Sequence, residues 1–362
     1  MGLRAPYLHQ VLRCFCLAAF NELERGEALV PRVRGQLETR AERLARLPDA
    51  QIAVEELARD PATAIYAEEL FSALLMPLLV ETADACVGFD WDENAFARAY
   101  AQFELRLYGD GHAYSAVAPL LGLSTPVRFE LGSGVVVRQR AEGELESEPE
   151  CVYVIAIERD LPAGEADLPD AAGELADAIT ALRLATGAPV AAGPLVFDHL
   201  DHRPRGARAA QPYAAMHPAG EPSRLDEFRA RLARDLCERL ALAEEDPELG
   251  EAIDRWELSL FQDGPFQAEQ LRESLAALLG GNDGLWAAAV RGAILLGDTP
   301  RARAELQDRL SGDPDPDVVR RALVAAVLHG DRPRLVASLD ESILGLRPAP
   351  QTPVVLRRAA SG

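Results

Sequence analysis

Apolar residues recur at helical spacing through two long stretches of this chain, 7–108 and 223–344, and the segment between them switches to the two-residue alternation of strands. That switch confines the fold to a mainly α protein with a small antiparallel β-sheet, an α+β arrangement. Helical regions flank a β-rich middle. The spacing predicts helices over 7–25, 33–46, 51–59, 63–84 and 93–108, with Pro48 and Pro61 marking breaks. Asp90, Asp92 and Glu93 put acids at the start of the last of these, where the helix dipole favours them. Val127, Phe129 and Leu131 then alternate with polar neighbours up to Gly132-Ser133-Gly134, and Val135, Val136 and Val137 follow, which reads as a hairpin. Cys151 to Ile157 is a second β-rich run, and a further strand is expected near 189–197. A helix opens after Asp167-Leu168-Pro169 and reaches Thr186. Residues 198–222, rich in Pro, Gly, Arg and His, read as an exposed loop. From Ser223 onward the pattern is helical again, over 223–243, 248–262, 267–279, 284–296, 300–310, 316–329 and 332–344.

With 362 residues the chain is long for one core. The pattern divides it into a helical N-terminal domain at 1–122, a small β-sheet region with a helix and the Arg/His loop at 123–222, and a helical domain at 223–345. A flexible tail follows at 346–362, carrying Pro348, Pro350, Pro353 and Arg357-Arg358. The apolar run Leu70 to Leu79 is too short to span a bilayer, so no membrane partner is expected.

All 37 basic residues are Arg, set against 58 acidic ones, for a net charge of -21. The absence of Lys and the load of Ala, Gly and Pro point to a GC-rich bacterial genome. A chain this acidic repels nucleic acid on average, so any such contact needs a local basic patch. The five Cys are scattered and odd in number, which fits buried free thiols in a reducing cytoplasm. No cofactor is implied: the chain has no phosphate loop, no dinucleotide-binding glycine fingerprint, no nucleophile elbow and no Cys-pair zinc spacing.

Two local clusters offer chemistry. Asp198, His199, Asp201 and His202 are the best metal-like group, with a polar surface loop as the alternative. Arg203, Arg205 and Arg208 follow at once and form the clearest basic patch, where guanidinium forks suit phosphate and a solvated loop is again the alternative. Near the C-terminus, Ala293-Ile294-Leu295-Leu296-Gly297-Asp298 is echoed 33 residues later by Ala326-Val327-Leu328-His329-Gly330-Asp331, the period of helix–turn–helix repeats. By that echo His329, the counterpart of Leu296, should face the core.

Leu271–Gly280, Leu285–Gly297 and Val318–Gly345 together resemble the ApeA-like branch of the HEPN helical proteins. Ser274-Leu275-Ala276-Ala277-Leu278-Leu279-Gly280 and Arg291-Gly292-Ala293-Ile294-Leu295-Leu296-Gly297 carry the likeness, with upstream segments at Ala118–Leu123 and Thr180–Leu184. The resemblance implies a HEPN-like C-terminal bundle, dimerisation and a nucleic-acid-related role in bacterial antiviral defence. It also implies an Arg–His pair with four to six residues between. The expected window, Glu305 to Gly312, has no His, and Ala276 stands where an acid is expected. Arg321 and His329 are the nearest candidates, with seven residues between. Arg4–His9 and Arg106–His112 match the spacing as often as chance allows, and the latter crosses Gly109 and Gly111. The reading is therefore a HEPN-like scaffold without the ribonuclease centre. It would bind another protein of the same system or a second copy, with RNA as a further partner through Arg203, Arg205, Arg208, Arg291 and Arg309. The alternatives are a divergent ribonuclease using Arg321 and His329, and a helical-repeat adaptor with no nucleic-acid role.

Overall fold

The structure, a computed structural model, describes residues 6–24, 40–67, 69–86, 90–109, 111–141, 144–145, 150–162, 168–201, 203–212, 215–216, 218, 221–243 and 246–350. The fold is α+β, helices with an antiparallel sheet, as the apolar patterning requires. The chain forms two compact units. Unit 1 comprises Met1–Tyr114, Arg159–Pro169 and Leu200–Arg205, and unit 2 comprises Ser115–Glu158, Asp170–His199 and Gly206–Gly362. No helix among the described residues is long and apolar enough to cross a membrane.

Unit 1 contains α1 (Pro6–Glu24), α2 (Pro48–Ala58), α3 (Met76–Ala85) and α4 (Glu93–Tyr108). α1 buries Leu12, Phe15, Ala19 and Phe20 on one stripe. α4 buries Phe96, Tyr100 and Phe103, whose rings follow one another at 5.9 Å. Asp92 caps α4 by accepting the Asn94 amide, so its start and end match the expected 93–108. The expected helix 63–84 is instead interrupted. Asp60 and Pro61 open a 3₁₀ turn that ends at Tyr66, and a π turn at Phe71–Leu75 precedes α3. Pro77 accounts for the widened turn, because it donates no N–H and its ring crowds the carbonyl four residues back. The expected helix 33–46 lies partly outside the described residues.

One correction falls at the end of this region. Residues 112–121, placed by the sequence in a helical domain, are strand β1 (His112–Leu121). Gly109 caps α4 in an extended conformation, and His112, Tyr114 and Ala116 are then buried at two-residue spacing.

The sheet has the order β3-β4-β5-β1-β7-β8, with β6 (Ala191–Ala192) also paired to β1. β3 (Phe129–Gly132) and β4 (Val135–Gln139) form the expected hairpin, with Phe129 opposite Val137. Its turn holds Gly132, Ser133 and Gly134 all at positive φ, which only flanking glycines make inexpensive. β5 (Tyr153–Leu161) pairs antiparallel with β4, and β2 (Leu123–Ser124) pairs parallel with β9 (Ser223–Arg224). A second correction concerns the first half of 198–222: residues 198–200 finish β7 (Leu195–Leu200) and 203–209 build β8 (Arg203–Ala209) rather than an exposed loop. Pro204 and Gly206 disguise β8. They are tolerated because β8 ends the strand order, where a missing donor breaks no ladder.

The helices of unit 2 are α5 (Ala171–Thr186), α6 (Glu227–Ala243), α7 (Pro247–Ser259), α8 (Gly264–Leu275), α9 (Gly284–Leu296), α10 (Pro300–Ser311), α11 (Pro316–His329) and α12 (Arg332–Ile343). Asp246, Thr299 and Asp315 cap α7, α10 and α11 with a Pro directly behind each, the N-terminal signature that made these starts legible. The 33-residue echo holds in sequence but not in backbone geometry. Gly297 leaves α9 extended, at φ -97, whereas Gly330 leaves α11 left-handed, at φ 78.

Inside unit 2, Arg183 of α5 is wholly buried and pairs with Glu257 of α7 at 3.1 Å. Thr180 donates to the same carboxylate at 2.7 Å, and Arg183 Nε donates to the Val190 carbonyl at 2.7 Å. Burial pushes the Glu257 carboxyl above its ordinary range, against the pull of Arg183 and Thr180. Removing one partner strands a buried charge, so Glu257→Ala should cost about 3 kcal/mol or more in urea denaturation. Arg183→Met with Glu257→Leu should recover most of that loss. Equal stability of Glu257→Ala and the parent would show the pair to be dispensable.

Candidate functional site

The residues singled out for nucleic acid differ in their surroundings. Arg291 of α9 is buried, and its guanidinium is shared among Asp340 (2.7 Å), Asp283 (2.9 Å) and the carbonyls of Leu279 (2.8 Å) and Gly280 (3.1 Å). That leaves no fork for a phosphate. Arg309 is more exposed and pairs with Asp315 at 3.1 Å. Arg208 donates to the buried Asp198 at 2.7 Å. Arg203 begins β8, with its side chain outside the described residues.

The metal-like run also separates. Asp198 and His199 are neighbours on β7, and successive strand residues point to opposite faces. Asp198 goes to Arg208 and Asp201 to His112, while His202 lies outside the described residues. Among the described residues no group of three or more His, Cys, Asp or Glu is placed to hold a metal ion.

Arg321 and His329 both lie on α11, eight residues and so about 12 Å apart along the helix axis. His329 is exposed, with Nδ1 2.9 Å from the Asp331 carbonyl, which corrects the expectation of a core-facing side chain. The burial of α11 ends at Val327, and the left-handed Gly330 turns the chain away where α9 still packs Leu296. The described cysteines form no disulfide, with Cys16 and Cys86 buried and the other three partly so. Burial pushes the Cys237 thiol up to about 12.

A defined concavity lies elsewhere, in unit 1. A cavity of about 650 Å³ opens beside a helical stripe of Glu69, Ser72, Ala73, Met76, Pro77 and Val80. Tyr66, Glu81 and Arg106 line it from neighbouring turns, and Leu200, Asp201, Pro204 and Arg205 from the β7 and β8 ends. At its base His112, 1% exposed, meets Asp201 Oδ2 through Nδ1 at 3.1 Å, and the other Asp201 oxygen accepts the Ala113 amide at 3.1 Å. The Tyr66 hydroxyl donates to Asp201 at 3.4 Å. Burial would raise the Asp201 carboxyl, but the His112 hydrogen bond and charge and the Ala113 amide hold it below its ordinary range. The Tyr66 phenol moves the other way, raised by burial and by Asp201. His112 thus orients Asp201 from behind and does not line the cavity.

The two arginines of this cavity differ. Arg106 Nη2 donates to Glu81 at 2.7 Å. Arg205 lies 5.9 Å from the Tyr66 ring centroid, and its closest carboxylate oxygen, on Glu69, is 4.0 Å away, beyond hydrogen-bonding distance. The sequence singled out Asp201 and Arg205 as members of other groupings, and it left Tyr66, Glu69 and Glu81 unassigned. Arg106 and His112 were visible as a spaced pair. What joins them is the end of α4 and the start of β1, not a helical face.

No family model matches the chain, and neither a curated protein nor a solved structure matches it.

These placements order the arginines by stability. Arg291→Ala leaves Asp283, Asp340 and two carbonyls unsatisfied and should cost about 3 kcal/mol in urea denaturation. Arg309→Ala, at an exposed pair, should cost about 0.5 kcal/mol or less. His329→Leu should leave the melting temperature nearly unchanged, as expected of an exposed residue.

Proposed function

We propose that the protein is a HEPN-like helical scaffold that acts by binding a protein partner in a bacterial defence or regulatory system, with a second copy of itself as the first such partner. One observation carries this reading. At one end of unit 2, Trp286 is 69% exposed and Leu344 is 72% exposed. Trp286 lies one turn beyond Asp283, and Leu344 one turn beyond Asp340, and both acids share the Arg291 guanidinium. Ile343 and Leu346 are exposed on the same turn of chain as Leu344. An exposed indole and exposed aliphatic side chains, on two segments joined by one arginine, supply the residue types of a binding hot spot.

A protein partner is favoured over RNA because the arginines that would grip phosphate are committed elsewhere, Arg291 inside the fold and Arg208 to Asp198. The net charge of -21 acts in the same direction. A two-fold interface buries such a patch against itself.

Sedimentation velocity at high micromolar concentration should show a dimer for the full chain. The Trp286→Asp, Leu344→Asp variant should be a monomer with unchanged far-UV circular dichroism. A monomeric parent, or a dimer that survives both substitutions, would remove the support for self-association. Incubated with single-stranded RNA and tRNA, the purified protein should leave both intact. Cleavage that disappears in an Arg321→Ala, His329→Ala variant would promote the ribonuclease alternative instead.

A further inference from the structure

We infer that the unit 1 cavity is a binding site for a small, singly charged organic acid, with Arg205 holding the acid group. This goes beyond the scaffold reading and is independent of it. Arg205 lines the cavity with its side chain only 18% exposed. Among the described residues it makes no hydrogen bond, and its Nη1 has no acceptor. A guanidinium has five donors, and a mostly buried one with none of them used is costly to keep. Protein interiors tolerate such a group where a ligand completes it.

Charge in the rest of the cavity sets the ligand's charge. Glu81 is neutralised by Arg106 at 2.7 Å, and Asp201 is held by His112 at 3.1 Å. Glu69 stands loosely at 4.0 Å from Arg205. Among the described residues Arg205 is therefore the cavity cation without a carboxylate at hydrogen-bonding distance. A single negative charge suits it, and a doubly charged phosphate would be repelled by Glu69 and Asp201. Part of the lining forms an apolar wall of Ala73, Met76, Pro77, Val80 and Leu200. A volume of about 650 Å³ takes a body well beyond the acid group itself. An acid with an aliphatic or aromatic body matches the arginine and this wall, with Tyr66 beneath the guanidinium as a planar floor.

The test titrates the full chain calorimetrically with octanoate, octanol, octylamine and inorganic phosphate. Saturable binding of octanoate is expected, with octanol, octylamine and phosphate at least about tenfold weaker. Arg205→Gln should weaken octanoate by about tenfold or more, and Arg205→Lys should retain part of the affinity. Met76→Glu should abolish binding by placing a second charge on the apolar wall. Each variant is first checked to melt as the parent does, and two of the three suffice if one fails to fold. Equal binding of octanol and octanoate would overturn the inference, as would octanoate binding unchanged in Arg205→Gln. So would tighter binding of phosphate, or no binding of octanoate at all.

Discussion

The buried pair of Arg183 and Glu257 is the interaction around which unit 2 is organised. Neither charge can be left alone in the interior, because the desolvation of each is offset only by the other and by well-placed hydrogen bonds. α5 brings Arg183 and Thr180, α7 brings Glu257, and the chain after α5 supplies the Val190 carbonyl. The Phe261 ring lies 5.0 Å from the guanidinium carbon and closes it from one side. The pair ties the helix preceding β6 to the C-terminal helices at one depth and one rotation. An apolar contact in the same place would tolerate sliding; a buried ion pair does not.

The same use of arginine recurs through unit 2. Arg291 donates to the carbonyls of Leu279 and Gly280, Arg320 to Leu184, Arg332 to Leu278, Arg239 to Leu328 and Arg303 to Gly297. Most of these carbonyls lie at helix C-termini, where the last turn has no intrahelical donor and the dipole is negative. A guanidinium can satisfy such a carbonyl and a carboxylate together, as Arg291 does with Asp340 and Arg332 with Asp246. A lysine, with one compact ammonium, has no such fork. In a chain whose cations are all arginine, many of them serve as internal caps.

Unit 1 is built differently. Its aromatic residues pack along α1 and α4, and its polar chemistry collects where the 3₁₀ turn, the π turn and the β7 and β8 ends meet. Pro77 is responsible for part of this. The wider turn it requires sits in the helical stripe that walls the cavity, and Pro77 is itself part of that wall. The Asp201 carboxylate is fixed by the Ala113 amide and His112 and accepts from Tyr66, whose ring lies 5.9 Å from the Arg205 guanidinium.

Sequence by itself determined the helices with strong periodicity and clear ends. α4, α9 and α11 begin and end where Asp92, the Gly281–Gly284 break, Asp315-Pro316, Gly297 and Gly330 say they should, because capping is chemistry between near neighbours. The hairpin at Gly132-Ser133-Gly134 was legible for the same reason. Tertiary structure decided what local chemistry leaves open. β8 forms at a sheet edge despite Pro204 and Gly206, because a neighbouring strand supplies its hydrogen bonds. Arg291 and Arg309 look alike in sequence, yet one is consumed by partners 8 and 49 residues away and the other pairs near the surface. Arg205 meets Tyr66 and Glu69 only after more than 130 intervening residues have folded, and no spacing rule spans that distance.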